Sequence, residues 1–124
     1  MLLPIGGGEK KEEGMKILEV PFAVTDWGSV KPVEHRGEKG TSQWRIFEAG
    51  NIRARVVEYS AGYRSDHWCP RGHVLLVLEG EFNVALRDGR SFRLRPGMSF
   101  QAGDDESNPH LGSTETGARV FIVD

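Results

Sequence analysis

Two histidines and the chain's single cysteine fall within one short stretch, His67-Trp68-Cys69-Pro70-Arg71-Gly72-His73, and another histidine, His110, returns at the far end of the sequence behind it. Imidazole and thiolate are the side chains that bind borderline transition metals. His67 and Cys69 are two positions apart, so on an extended strand both point to one face. His73 has the same parity, although Pro70 and Gly72 interrupt the strand. A metal site is the leading chemical reading. Cys69 has two readings open: a thiolate ligand, or a small buried apolar side chain. His110 follows Pro109 in a loop and is either a ligand or simply exposed. His35 lies in the polar run Glu34-His35-Arg36-Gly37-Glu38-Lys39 and is expected at the surface.

Two further groups could contribute. Arg53 and Arg55 share a strand face with Val57 and Tyr59, opposite Ile52, Ala54, Val56 and Glu58. Facing inward, Arg55 and Tyr59 would line a pocket for an anionic ligand. Facing outward, the arginines would lay their stems over apolar neighbours, which is the commoner arrangement for charged residues and the one expected here. Asp66 could orient a histidine. Strand parity, however, sets it on the face opposite His67, where its partner would be a loop donor or an arginine. Trp68 is expected outside the barrel or at an interface.

The elements that must position these residues read as short strands. Turn signals recur at Gly50-Asn51, Gly62, Gly72, Gly80, Asp88-Gly89, Pro96-Gly97 and Gly103, with segments of strand length between them. That pattern predicts an all-β sandwich or barrel. Glu81 to Arg87 alternates, with Phe82, Val84 and Leu86 inward. Asp88-Gly89 turns the chain tightly, Phe92 and Leu94 return inward, and Met98 and Phe100 continue after Pro96-Gly97, so a β-meander is expected. The strands His73–Glu79 and Arg119–Val123 are apolar on both faces and need cover on each side. Lys16 to Phe22 and Gln43 to Phe47 are candidate covers within the chain; a homodimer, burying the face of Val74, Leu76, Leu78, Phe121 and Val123, is the expected one.

The chain's 124 residues fit one domain with a core of its own. A net charge of -2 gives no electrostatic case for nucleic acid or acidic membranes as partners. One cysteine permits no internal disulfide, and a reducing cytoplasm is the plain expectation. No apolar run is long enough to span a membrane, and the apolar start is followed, not preceded, by charge, unlike a secretory signal. Residues 1–14 end in a polar, glycine-rich run and are expected to be a disordered extension, with the folded domain at 15–124.

The motif positions resemble those of the cupins, small β-barrels of the jelly-roll type. Gly62, His67, Cys69, His73 and Gly80 follow the spacing of the first cupin motif, with Cys69 where the second histidine usually stands and His73 where the glutamate does. Gly89, Pro96-Gly97, Ala102-Gly103 and His110 follow the order of the second, with Asp104-Asp105-Glu106 lengthening the last interval. Asp66-His67-Trp68-Cys69 is similar to the signature of the single-domain cupins named for an Asp-His-Cys-Trp motif. The resemblance implies an all-β, single-domain cupin barrel, and His67, His73 and His110 as metal ligands, with Cys69 as a fourth. That donor set suits a divalent transition metal, zinc or iron, better than magnesium or calcium. The cupin fold hosts many activities, so it does not select one; the first functional reading is a small metalloenzyme acting on a small polar or anionic organic molecule. A non-catalytic ligand- or metal-binding module is the alternative, and redox sensing through Cys69 a weaker third.

Overall fold

A computed structural model describes residues 14–124. The expectation of a disordered extension over 1–14 lies, Gly14 apart, outside the described residues. Nine strands are present among them: β1 (Val33–Arg36), β2 (Thr41–Ala49), β3 (Ile52–Tyr59), β4 (His73–Gly80), β5 (Phe82–Leu86), β6 (Ser91–Leu94), β7 (Ser99–Ala102), β8 (His110–Ser113) and β9 (Ala118–Val123). Among the described residues, one 3-10 turn, Trp27–Ser29, precedes β1, with Asp26 accepting from the Gly28 amide. None of the described helical segments is long and apolar enough to cross a membrane.

The strands form two antiparallel sheets, ordered β1-β2-β3-β9-β4-β7 and β6-β5-β8. Register follows from burial, because a slip by one residue would turn every apolar side chain outward. Val57 pairs with Val120, which pairs with Val77; one rung along, Arg55 pairs with Ile122, then Leu75, then Phe100. These side chains point between the sheets and meet Phe82, Val84 and Leu94 from the smaller sheet in one core. Each such aliphatic side chain contributes about 1.5–3 kcal/mol by leaving water. The rungs change character along the barrel. Val57, Val120 and Val77 make an apolar middle, while Arg53 and Asp124, joined across β3 and β9, bring charge toward one mouth. That gradient puts polar chemistry at an opening while the core stays dry.

Three expectations are corrected. The meander stops at one hairpin: β5 pairs with β6, but after Pro96-Gly97 the chain crosses to the other sheet and β7 pairs with β4. β6 and β7 are therefore free edges of different sheets, which is why Phe92 and Met98 stay 49% and 39% exposed. Gln43–Phe47 is no cover; it lies inside β2, paired with β3 in the same sheet. Lys16–Phe22 does not cover the apolar face either, since Ile17 and Phe22 are themselves 50% and 95% exposed. Its ties are to Asn51, whose side chain accepts from the Leu18 amide and donates to the Lys16 carbonyl. The outer face is instead met by Trp27, packed edge-on to Phe121 at 6.0 Å.

Candidate functional site

A cavity of about 290 Å³ opens inside the barrel, and His67, Cys69, His73 and His110 all line it. β4 supplies His73 at its first residue and β8 supplies His110 at its first residue, so both imidazoles sit where strands enter the core. Cys69 belongs to the preceding loop, held to β8 by a reciprocal backbone pair: the Cys69 amide donates to the His110 carbonyl at 2.7 Å, and the His110 amide returns a bond at 3.0 Å. Gly72 lets this loop lie against β7, because a side chain there would run into the Ala102 carbonyl. The Gly72 amide also donates to Asp104 Oδ1 at 2.6 Å, which gives one residue of the acidic run a structural job.

The imidazoles of His73 and His110 meet edge to face with centroids 4.9 Å apart, and Phe100 packs on both, at 5.4 and 5.5 Å. Burial, then the neighbouring His110, pushes the His73 pKa down to about 4. Burial, then the charge of His67, pushes His110 down as well. Both are neutral at neutral pH, with lone pairs available. His110 Nε2 is buried and has no hydrogen-bond partner among the described residues.

His67 stands apart from these two, exposed at the rim. Its Nδ1 lies 2.7 Å from Asp66 Oδ1, so the expectation that parity separates Asp66 from His67 is wrong. Asp66 and His67 lie in a bend, not a strand, and alternation does not apply there. The hydrogen bond from His67 holds the Asp66 carboxyl below its ordinary value. With the carboxylate accepting, Nδ1 carries the proton of that hydrogen bond. The Cys69 thiol is half-buried, with the Arg71 carbonyl 3.9 Å from its sulfur as a distant acceptor. Trp68 is half-buried outside the cavity, with the Arg87 guanidinium 4.7 Å over its ring. His35 is exposed as expected and stacks on Trp44 at 4.0 Å.

The donor types fit a divalent transition metal, and the partnerless His110 nitrogen fits it too. The positions fit less well. Among the described residues, no three His, Cys, Asp or Glu side chains stand together closely enough to hold a metal ion.

Arg53 and Arg55 look inward, against the expectation from charge alone. Their face carries Val57, which the core claims, and a strand cannot turn one residue out without turning its neighbours. Arg55 is 7% exposed. Its guanidinium stacks on Trp44, 4.4 Å from the ring centroid, and donates to Asp124 Oδ2 at 3.1 Å. Arg53 grips the same carboxylate twice, Nε to Oδ1 at 3.1 Å and Nη2 to Oδ2 at 2.9 Å. Burial pushes the Asp124 pKa up, but the hydrogen bond from Arg53 and the charges of Arg55 and Arg53 together outweigh it and hold the carboxyl below its ordinary value. Arg55 Nε is buried without a partner, like His110 Nε2. Tyr59 closes the far wall, packed on Tyr63 at 4.6 Å and Phe82 at 5.1 Å, with its phenol pKa pushed up by burial.

Asp124 and Trp44 are the site residues that sequence reasoning missed. Both were legible in principle: Asp124 is two residues beyond the inward Ile122, and Trp44 pairs with the inward Val57.

No family model matches the sequence, and no curated protein matches it either. Solved structures do. A predicted oxalate decarboxylase from Thermotoga maritima superposes with a TM-score of 0.69 at 13% identity, over 82% of this chain and 96% of that one. An RmlC-like cupin from Shewanella frigidimarina gives 0.66 at 19% identity, over 83% and 89%. The Fe(II) form of the protein HppE gives 0.65 at 13% identity, over 83% of this chain and 60% of its own. At such identities the likeness concerns the fold alone. With its two antiparallel sheets closing on one core, the described chain is a cupin-type β-barrel.

Proposed function

We propose that the barrel binds a small organic anion in its interior and acts on it at the histidine pair. The observation that carries this reading is the placement of two buried, partnerless polar atoms, Arg55 Nε and His110 Nε2, on residues of the same cavity wall. An unpaired buried donor or acceptor costs about 1–3 kcal/mol, so each is poised to gain from a ligand. Arg53, Arg55 and Arg71 line the cavity, and Asp124 is the one carboxylate among the described lining residues. The excess of positive charge favours an anion. Trp44 and Tyr59 supply flat walls for a small organic skeleton. His73 and His110, neutral and facing the bound molecule, are able to accept a proton from it.

The same pair supports a divalent transition metal, zinc or iron, on His73 and His110, with His67 Nε2 and Cys69 at the rim as further donors. Similarity to the Asp-His-Cys-Trp cupins and the Fe(II) named for one structural neighbour support it. When bound, such an ion would supply Lewis-acid polarisation of the ligand's oxygen. The residues already in place do the rest: Arg55 and Arg53 orient the anion, and Phe100 fixes both imidazole rings.

A non-catalytic binding module is the second reading, favoured by the absence of a three-donor cluster among the described residues. Elemental analysis of the purified protein, followed by proton-exchange measurements on a bound carboxylate, separates the two. A stoichiometric metal together with enhanced exchange α to the carboxylate supports the enzyme. A tightly bound, unaltered anion supports the module.

A further inference from the structure

The three arginines that line the barrel cavity differ in how their charge is matched. Arg53 and Arg55, on β3, share the single carboxylate of Asp124. Arg71 is exposed at the cavity mouth and makes no ion pair or side-chain hydrogen bond among the described residues. The nearby rim acid, Asp66, is taken up by His67 at 2.7 Å. Among the described lining residues, one carboxylate thus faces three guanidiniums, which leaves two positive charges unmatched.

Those charges stand at different depths of one cavity. The pairing of Val74 with Val123 brings His73 level with Asp124, and the backbone pair of Asp124 with Arg53 extends that rung to β3. Arg55 lies two residues deeper along β3, whereas Arg71 lies two residues before His73, on the way out. The loop that carries Arg71 is fastened on both sides. Cys69 is backbone-paired with His110, the Asp105 amide donates to the Pro70 carbonyl at 2.9 Å, and the Gly72 amide donates to Asp104 Oδ1 at 2.6 Å. A cation on a tied backbone loses less freedom when it binds.

We propose that Arg71 is a second anion anchor, so that the cavity takes a short dicarboxylate, with one carboxylate at Arg55 inside and the other at Arg71 at the mouth. This rests on the reading of Arg55 as an anion site and deepens it. A monocarboxylate would offset only half of the unmatched charge. A phosphate monoester carries two charges, but on one group at one depth. The cavity volume of about 290 Å³ lies at the lower edge of the roughly 300–1,000 Å³ usual for drug-sized ligands, which keeps the chain between the carboxylates to a few carbons.

Calorimetric titration of the full chain at fixed ionic strength with butanoate, succinate, glutarate, adipate and methyl phosphate tests this. At least one diacid binds about tenfold or more tighter than butanoate, the scale of an added charge-assisted contact. Arg71→Gln, at an exposed loop position, removes most of that advantage and weakens butanoate far less; Arg71→Lys, which keeps the charge, retains part of it. Diacids no tighter than butanoate, or an Arg71→Gln loss that is equal for butanoate and diacid, overturn the second anchor while leaving the anion site standing. Methyl phosphate binding tighter than every diacid overturns the dicarboxylate assignment. Binding of all these anions that is indifferent to Arg55→Met overturns the anion reading, and this proposal with it.

Discussion

Arg53 and Asp124 are joined twice. Their backbones exchange hydrogen bonds of 2.7 and 2.9 Å across β3 and β9, and their side chains form a two-pronged ion pair at 3.1 and 2.9 Å. Arg55 leans on the same carboxylate from one rung deeper. A single acid thus balances two inward arginines and leaves the cavity positive.

Removing that acid leaves Arg55 buried without its counter-charge. Asp124→Ala is expected to lower stability by about 3 kcal/mol in urea unfolding, because an unpaired buried charge costs more than a missing pair. Asp124→Ala combined with Arg55→Met should recover much of the loss. If the double variant is as unstable as the sum of both single changes, the carboxylate is not balancing Arg55.

Acid should weaken the metal-free protein earlier than carboxylate titration alone would. His73 binds its proton only near pH 4 when folded, against an ordinary 6.5 when unfolded. Between these values the unfolded chain holds more protons, so stability is full above about 6.5 and falls as pH drops toward 4. Allowing for the solvent that still reaches the ring, the loss is on the order of 2 kcal/mol. His73→Gln should flatten that slope. An unchanged slope in the variant would mean the ring is not buried in its neutral form.

Gly112 permits the approach of Phe82, the ring that closes the cavity against Tyr59; a methyl group at 112 would collide with it. Gly112→Ala should cost about 1–3 kcal/mol by overpacking, and Phe82→Leu in the same chain should return part of it. Thermal unfolding that is indifferent to Gly112→Ala would place Phe82 elsewhere.

For metal binding, His73→Ala and His110→Ala should each abolish most zinc or iron uptake in equilibrium dialysis. Cys69→Ser should change the preference between the two metals. Uptake that survives loss of His110 would remove that residue from the metal site. Independently of metal, the exposed apolar side chains of Val74, Ile17 and Phe22 predict a dimer by sedimentation at micromolar concentration. A clean monomer mass would contradict it.

The sequence made the architecture legible because alternation and turn chemistry are local. Phe82-Val84-Leu86 and the turn at Asp88-Gly89 specify their own hairpin. The crossing of β7 to β4 was not legible, since Pro96-Gly97 fixes a turn but not the strand reached after it. At the site, resemblance to the cupin motifs brought His73 and His110 forward, and the barrel does set them side by side. The inward arginines were misread because residue type was weighed above parity with Val57. What makes their burial tolerable, Asp124 and the Trp44 ring, comes from strands distant in sequence. Asp66 and His67 failed the other way, parity having been applied to a bend.

Arg55 is proposed to anchor a small organic anion inside the barrel. Calorimetric titration with oxalate and acetate, and with acetamide as the neutral match, tests it on the wild-type chain and on Arg55→Met. Both carboxylates should bind and acetamide should not, and Arg55→Met should weaken the carboxylates tenfold or more, about the worth of a charge-assisted hydrogen bond. Equal affinity for acetate and acetamide, or carboxylate binding indifferent to Arg55→Met, would contradict it.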